Sequence, residues 1–122
     1  MRISSLLYPC LIGLLLGTPA HADEGVVEAT KITRKGMGWR VEVTVRHPDS
    51  GWDHYINYWI VEGHAGDEIA RRKLLHPHVN EQPFTRSLTS LTVPDGVHKV
   101  YIRLHCKRDG LSKTRYMVKL KK

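Results

Sequence analysis

Apolar and polar residues alternate along much of this chain, and that period of two predicts β-strands. Between residues 39 and 46, Trp39 and three valines alternate with charged residues and a threonine. Such a pattern is typical of a strand with one face buried and the other in solvent. An apolar period of 3.6 residues, which a helix would show, never persists for three turns.

Seven strands are predicted in this way. The clearest lie at residues 39–46, 55–61, 99–106 and 116–120, and weaker ones lie at residues 26–33, 68–75 and 84–93. Turns rich in glycine, proline and aspartate separate them. Strands this short and closely spaced favour an all-β fold, an antiparallel immunoglobulin-like β-sandwich. A closed β-barrel is the alternative.

The first 22 residues have the pattern of a secretory signal peptide. A basic Arg2, an apolar stretch at residues 6–16 and a small-x-small site at residues 20–22 follow in order. A lipoprotein signal at Cys10 is not expected, because no small residue precedes it. We therefore expect residues 23–122 to form a single domain that is periplasmic or secreted. The apolar stretch is too short to anchor it in a membrane.

Basic residues concentrate at the end of the chain. Removal of the signal peptide lowers the net charge from +7 to +6, and residues 99–122 contain nine lysines and arginines against one acid, Asp109. If the last two strands pair, their outward positions form one basic face, which is either simply solvated or attracts anionic surfaces. Nucleic acid is not expected as a partner of an exported protein. The basic positions of this face are Lys99, Arg103, Arg115, Lys119 and Lys121.

The mature chain retains one cysteine, Cys106, so it can form no intramolecular disulfide. Alternation places Cys106 on the same inward face as Val100, Ile102 and Leu104, which predicts a buried thiol. The neighbouring His105 points to the opposite face, which argues against a Cys–His catalytic pair. Since no nucleophile motif such as G-x-S-x-G is present either, we expect the protein not to be an enzyme.

Seven of the eight histidines lie in the 100 residues after the predicted signal peptide, which makes transition-metal binding worth considering. In an extended backbone, His76 and His78 point to one face and offer two ligands to copper or zinc. His54 is the expected third ligand, and His47, Glu81 or Asp53 can add others. The alternatives are a structural, hydrogen-bonded role for these histidines and binding of another ligand.

Two further clusters are candidates for ligand or partner binding. In the first, Trp52, Asp53, His54 and Tyr55 precede the central strand. Asp53 either orients His54 or closes a turn, and Trp52 either contacts a ligand or caps the core.

The second cluster contains Glu81 and Arg86, which flank Phe84. Phe84 is expected to anchor the segment in the core. An ion pair between Glu81 and Arg86 would make the cluster a structural clasp rather than a binding site.

The string from His76 to Ser87, H-P-H-x-x-E-Q-P-F-T-R-S, resembles a family of small exported bacterial proteins of uncharacterised function. The likeness covers most of the mature chain and implies no particular activity. A weaker, fold-level likeness links the His47-Pro48 turn and the Leu75-His76-Pro77 segment to the Z subunit of the periplasmic sulfur-oxidation carrier pair. That likeness implies an immunoglobulin-like, non-catalytic partner-binding domain.

Together these features predict an exported, non-enzymatic module that binds a periplasmic protein or small ligand. A copper- or zinc-binding protein that uses a histidine cluster is the alternative.

Overall fold

The computed structural model describes residues 24–121, so the predicted signal peptide and Cys10 lie outside the described residues. This part of the chain forms eight strands in two antiparallel sheets. No helix among these residues is long and apolar enough to cross a membrane. The strands are β1 (Val26–Lys35), β2 (Gly38–Arg46), β3 (Ile56–Glu62), β4 (Glu68–Lys73), β5 (Phe84–Leu91), β6 (Lys99–Cys106), β7 (Gly110–Leu111) and β8 (Tyr116–Lys119).

The two sheets have the connectivity of an immunoglobulin-like sandwich. One sheet has the order β1-β2-β5, and the other has the order β4-β3-β6-β7, with β8 also paired to β6. The chain passes from one sheet to the other between β2 and β3, between β4 and β5, and between β5 and β6. The predicted all-β sandwich is therefore confirmed, and the closed barrel is not formed.

All seven predicted strands are present, with ends that differ by a few residues. An eighth strand, β7, was not predicted; it has two residues and pairs with the end of β6. Its residues, Gly110 and Leu111, show no alternation because the segment is too short to have a period. This strand matters because it folds the chain back beside Cys106, which pairs with Gly110.

The inner faces of the sheets meet in one apolar core. The alternating residues of β2 and β6 point into it, as the sequence predicts, and Trp59 of β3 is fully buried among them. Phe84 is 4% exposed and anchors the start of β5, also as predicted. The core thus lies between two sheets that are held together by side-chain packing.

The predicted basic face exists on the outer side of β6 and β8, where Lys99 lies opposite Lys119. Two of its arginines are already engaged by one buried carboxylate. Arg103 Nη1 lies 3.2 Å and Arg115 Nε 3.0 Å from the two oxygens of Glu62. These arginines help to hold the strands together, and binding of anionic surfaces by this face stays a prediction.

Replacement of Trp59 by alanine should lower the free energy of unfolding by about 3–5 kcal/mol, because a large buried side chain leaves a cavity. Trp52, which is 59% exposed, is the matched control, and Trp52→Ala should cost about 1 kcal/mol or less. Urea unfolding followed by circular dichroism measures both. Equal losses for the two variants would contradict this assignment of the core.

Candidate metal centre

Three potential metal ligands meet at one end of the sandwich: His47, His54 and Cys106. One ligand atom from each lies within 4.8 Å of the others, and all three residues are buried. Among residues 24–121, this is the single group of three or more histidine, cysteine or acidic side chains with that spacing. Two imidazoles and a thiol are the ligand types that zinc and copper prefer.

The strand pattern explains why these side chains converge. His47 follows β2 and continues the inward series of Val41, Val43 and Val45, while Cys106 ends the inward series of β6. His54 lies just before β3, whose first residue, Ile56, pairs with Cys106. The ends of strands from both sheets therefore place these three side chains next to one another.

Hydrogen bonds at Nδ1 orient both imidazoles. His47 Nδ1 lies 2.5 Å from Asp49 Oδ1. Because a carboxylate can only accept, Nδ1 carries the proton and Nε2 has the lone pair that a metal needs. His54 Nδ1 lies 3.2 Å from Ser50 Oγ, a hydroxyl that can either accept a hydrogen bond from this nitrogen or donate one to it. Both Nε2 atoms are buried and have no hydrogen-bond partner.

Asp49 holds this arrangement in place. Besides His47, it accepts hydrogen bonds from the backbone N–H groups of Ile56, at 3.1 Å, and His78, at 2.8 Å. Burial alone would raise the pKa of this carboxyl, but the bonds from His47, His78 and Ile56 outweigh burial and keep its pKa below the usual value. Asp49 therefore orients His47 as an ionised carboxylate.

The predicted pair His76 and His78 lies outside this group. Their rings are neighbours, with centroids 4.4 Å apart, but His76 is exposed whereas His78 is buried and stacked on Phe84. Burial, together with the positive charge of Arg86, lowers the pKa of His78. The structure places the expected third ligand, His54, with His47 and Cys106 instead.

The remaining predicted site residues occupy the loops around the centre. Trp52 and Asp53 are exposed, and the Trp52 ring packs edge-on against the buried Tyr55, with centroids 5.7 Å apart. Ser50, rather than Asp53, hydrogen-bonds to His54.

Glu81 and Arg86 do not form the ion pair that was considered for them. Glu81 Oε2 lies 3.8 Å from His78 Nδ1, while the Arg86 guanidinium lies over the ring of Phe84. The segment is nevertheless held as a clasp, because Gln82 accepts a hydrogen bond from His47 N and donates one to His78 O.

Fold and site together define an immunoglobulin-like β-sandwich with a candidate metal centre between its sheets. Over 88 residues, this chain is 41% identical to a protein of Halomicrobium mukohataei described as "Putative lipoprotein". The match covers 72% of this chain and 43% of that protein, so the chain spans less than half of its relative's length. No family model and no solved structure matches the chain. The resemblances to the exported bacterial family and to the sulfur-oxidation Z subunit stay predictions.

Replacement of Asp49 by asparagine should destabilise the metal-free protein by about 3 kcal/mol, because hydrogen bonds to a charged acceptor contribute about 1.5–3 kcal/mol each. The substituted amide also turns an N–H group toward the donors that Asp49 now satisfies. Urea unfolding in the presence of a chelator tests this. The matched control is Asp53→Asn on the same loop, where the exposed side chain should change stability by about 0.5 kcal/mol or less. If Asp53→Asn lowered the free energy of unfolding as much as Asp49→Asn, the destabilisation would come from changes in the loop and not from loss of the Asp49 carboxylate.

Proposed function

We propose that this is an exported protein that binds a transition-metal ion through His47, His54 and Cys106. The observation that carries the proposal is the pair of buried Nε2 atoms that lack a hydrogen-bond partner beside a buried thiol. An unsatisfied buried polar group costs about 1–3 kcal/mol. Coordination of a metal removes that cost at both histidines at once.

The surroundings of the three side chains favour this role. Metal-ligating histidines usually donate their second ring nitrogen to a carboxylate or another oxygen, as His47 does to Asp49 and as His54 can do to Ser50. The thiolate of Cys106 would favour zinc or copper over calcium or magnesium. A binding role rather than a catalytic one is supported by burial, since Cys106 is 3% and His54 7% exposed.

An exported location has two supports. The predicted signal peptide would direct the chain out of the cytoplasm, and the relative in Halomicrobium mukohataei is described as "Putative lipoprotein". Periplasmic, secreted and membrane-attached forms all agree with these supports.

Binding of a protein partner or small ligand is the second candidate. Exposure of Trp52 favours it, because a tryptophan that packs on Tyr55 beside His54 offers a rigid aromatic contact at the loop end. In that case the metal centre would brace the loops that contact the partner.

Metal titration of the reduced, metal-free protein tests the first candidate. We expect one equivalent of Co(II) to produce thiolate-to-metal charge-transfer bands, and Zn(II) to displace it. Loss of a hydrogen-bond partner of a ligand costs about 10–100-fold in affinity, so loss of a ligand in His47→Ala, His54→Ala or Cys106→Ser should cost about 100-fold or more. Circular dichroism of each variant confirms that it is folded.

The exposed His76 supplies the control. His76→Ala should leave the affinity unchanged if the centre consists of His47, His54 and Cys106. If His76→Ala abolishes binding while His47→Ala does not, the ion is held by the histidine pair expected from the sequence. Absence of charge-transfer bands in the unaltered protein would refute the proposal.

A further inference from the structure

Asp109 brings a carboxylate to the rim of the candidate centre. It lies in the turn between β6 and β7, three residues after Cys106. Its Oδ2 atom is 3.6 Å from His54 Nε2 and accepts a hydrogen bond from the Cys106 thiol at 3.7 Å. One carboxylate oxygen thus sits close to two of the three proposed ligands, although the sequence analysis gave Asp109 no role.

The turn geometry accounts for this position. Gly110 has a φ of 84°, a left-handed conformation that glycine adopts without strain, and it pairs back to Cys106 across the hairpin. The chain therefore reverses tightly after Cys106, and the Asp109 side chain, 19% exposed, covers the thiol. Arg108 donates hydrogen bonds to both oxygens of Asp109, at 3.2 and 3.4 Å.

We infer that Asp109 is the fourth ligand of the centre and that the resulting set of two imidazoles, a thiolate and a carboxylate selects Zn(II) over Cu(I). This inference rests on the proposed function. Zinc bonds of about 2.0–2.3 Å in a tetrahedron place neighbouring ligand atoms about 3.3–3.8 Å apart. The separations from Asp109 Oδ2 to His54 Nε2 and to Cys106 Sγ already fall in that range.

Charge balance supports a divalent ion. With Cys106 bound to the ion as a thiolate, Cys106, Asp109 and Asp49 would supply three negative charges around the centre, and Arg108 would supply one positive charge. A divalent ion leaves this group neutral, whereas Cu(I) leaves a net negative charge next to the core, where an uncompensated charge is costly. Copper(I) also prefers soft thiolate and thioether ligands to carboxylate oxygen.

Four protein ligands make a closed site. A zinc ion with no open position is typical of structural centres, whereas catalytic zinc keeps one position for water or substrate. Coordination by Asp109 would place the ion beyond the reach of a substrate. The ion would then connect β2 in one sheet to β3 and β6 in the other.

Asp109→Ala and Asp109→Asn test the inference, with Asp95→Asn, at an exposed aspartate in the loop before β6, as the matched control. Zn(II) and Cu(I) affinities are measured on the purified protein by competition with chelators, and the Co(II) complex by absorption. We expect both Asp109 variants to lose about 10-fold or more in Zn(II) affinity and to keep their Cu(I) affinity. Their thiolate-to-Co(II) bands should remain while the ligand-field bands change, because water replaces the carboxylate. Asp95→Asn should match the unaltered protein.

The outcomes separate the two proposals. If the unaltered protein shows no thiolate-to-Co(II) band, the metal centre itself is refuted. If it shows the band but both Asp109 variants keep the same Zn(II) affinity and the same ligand-field spectrum, the centre stands and Asp109 is not its ligand. A Zn(II) loss matched by an equal Cu(I) loss would overturn the claim of selectivity.

Discussion

The end of the sandwich that holds the candidate centre depends on one buried carboxylate. Asp49 accepts three hydrogen bonds from three parts of the chain: the His47 ring after β2, the backbone at the start of β3, and the backbone of His78. A buried charge is tolerated only where such bonds replace its hydration. The position of each loop is therefore tied to the same group that sets the tautomer of His47.

The composition of the segment from His76 to Arg86 indicates a binding loop, whereas its contacts in the structure indicate a structural role. Its polar residues bind mainly to other parts of the protein: Gln82 joins His47 to His78, and the His78 ring stacks on Phe84. Through these contacts the segment supports the residues of the candidate centre. Polar residues concentrated in a loop can serve the framework of a site, because the backbone groups of long loops must also find partners.

Much of the fold can be predicted from the sequence, because the alternation of apolar and polar residues shows which side chains of a strand are buried. The same pattern, extended one step beyond Val45, points His47 inward, and it correctly turns Cys106 into the core. The meeting of His47 with Cys106 could not be predicted, since it depends on how two sheets pack. The position of His54 could not be predicted either, because His54 precedes an irregularity in the pairing of β3 with β6, between Ile56 and Tyr58. Local spacing instead favoured His76 and His78, which are close in sequence and in space.

The location of the centre also bears on how the sandwich is held together. No disulfide joins its sheets in residues 24–121, where Cys106 is a free cysteine, and the sheets are connected through packing and through loops. Ligands from the end of β2 and from the ends of β3 and β6 would make a bound ion a cross-link between the two sheets. Since an ion bound to the folded state alone stabilises that state, the centre would couple metal binding to folding. The free-energy cost of leaving the Nε2 atoms of His47 and His54 without a hydrogen-bond partner would then be offset when the ion binds.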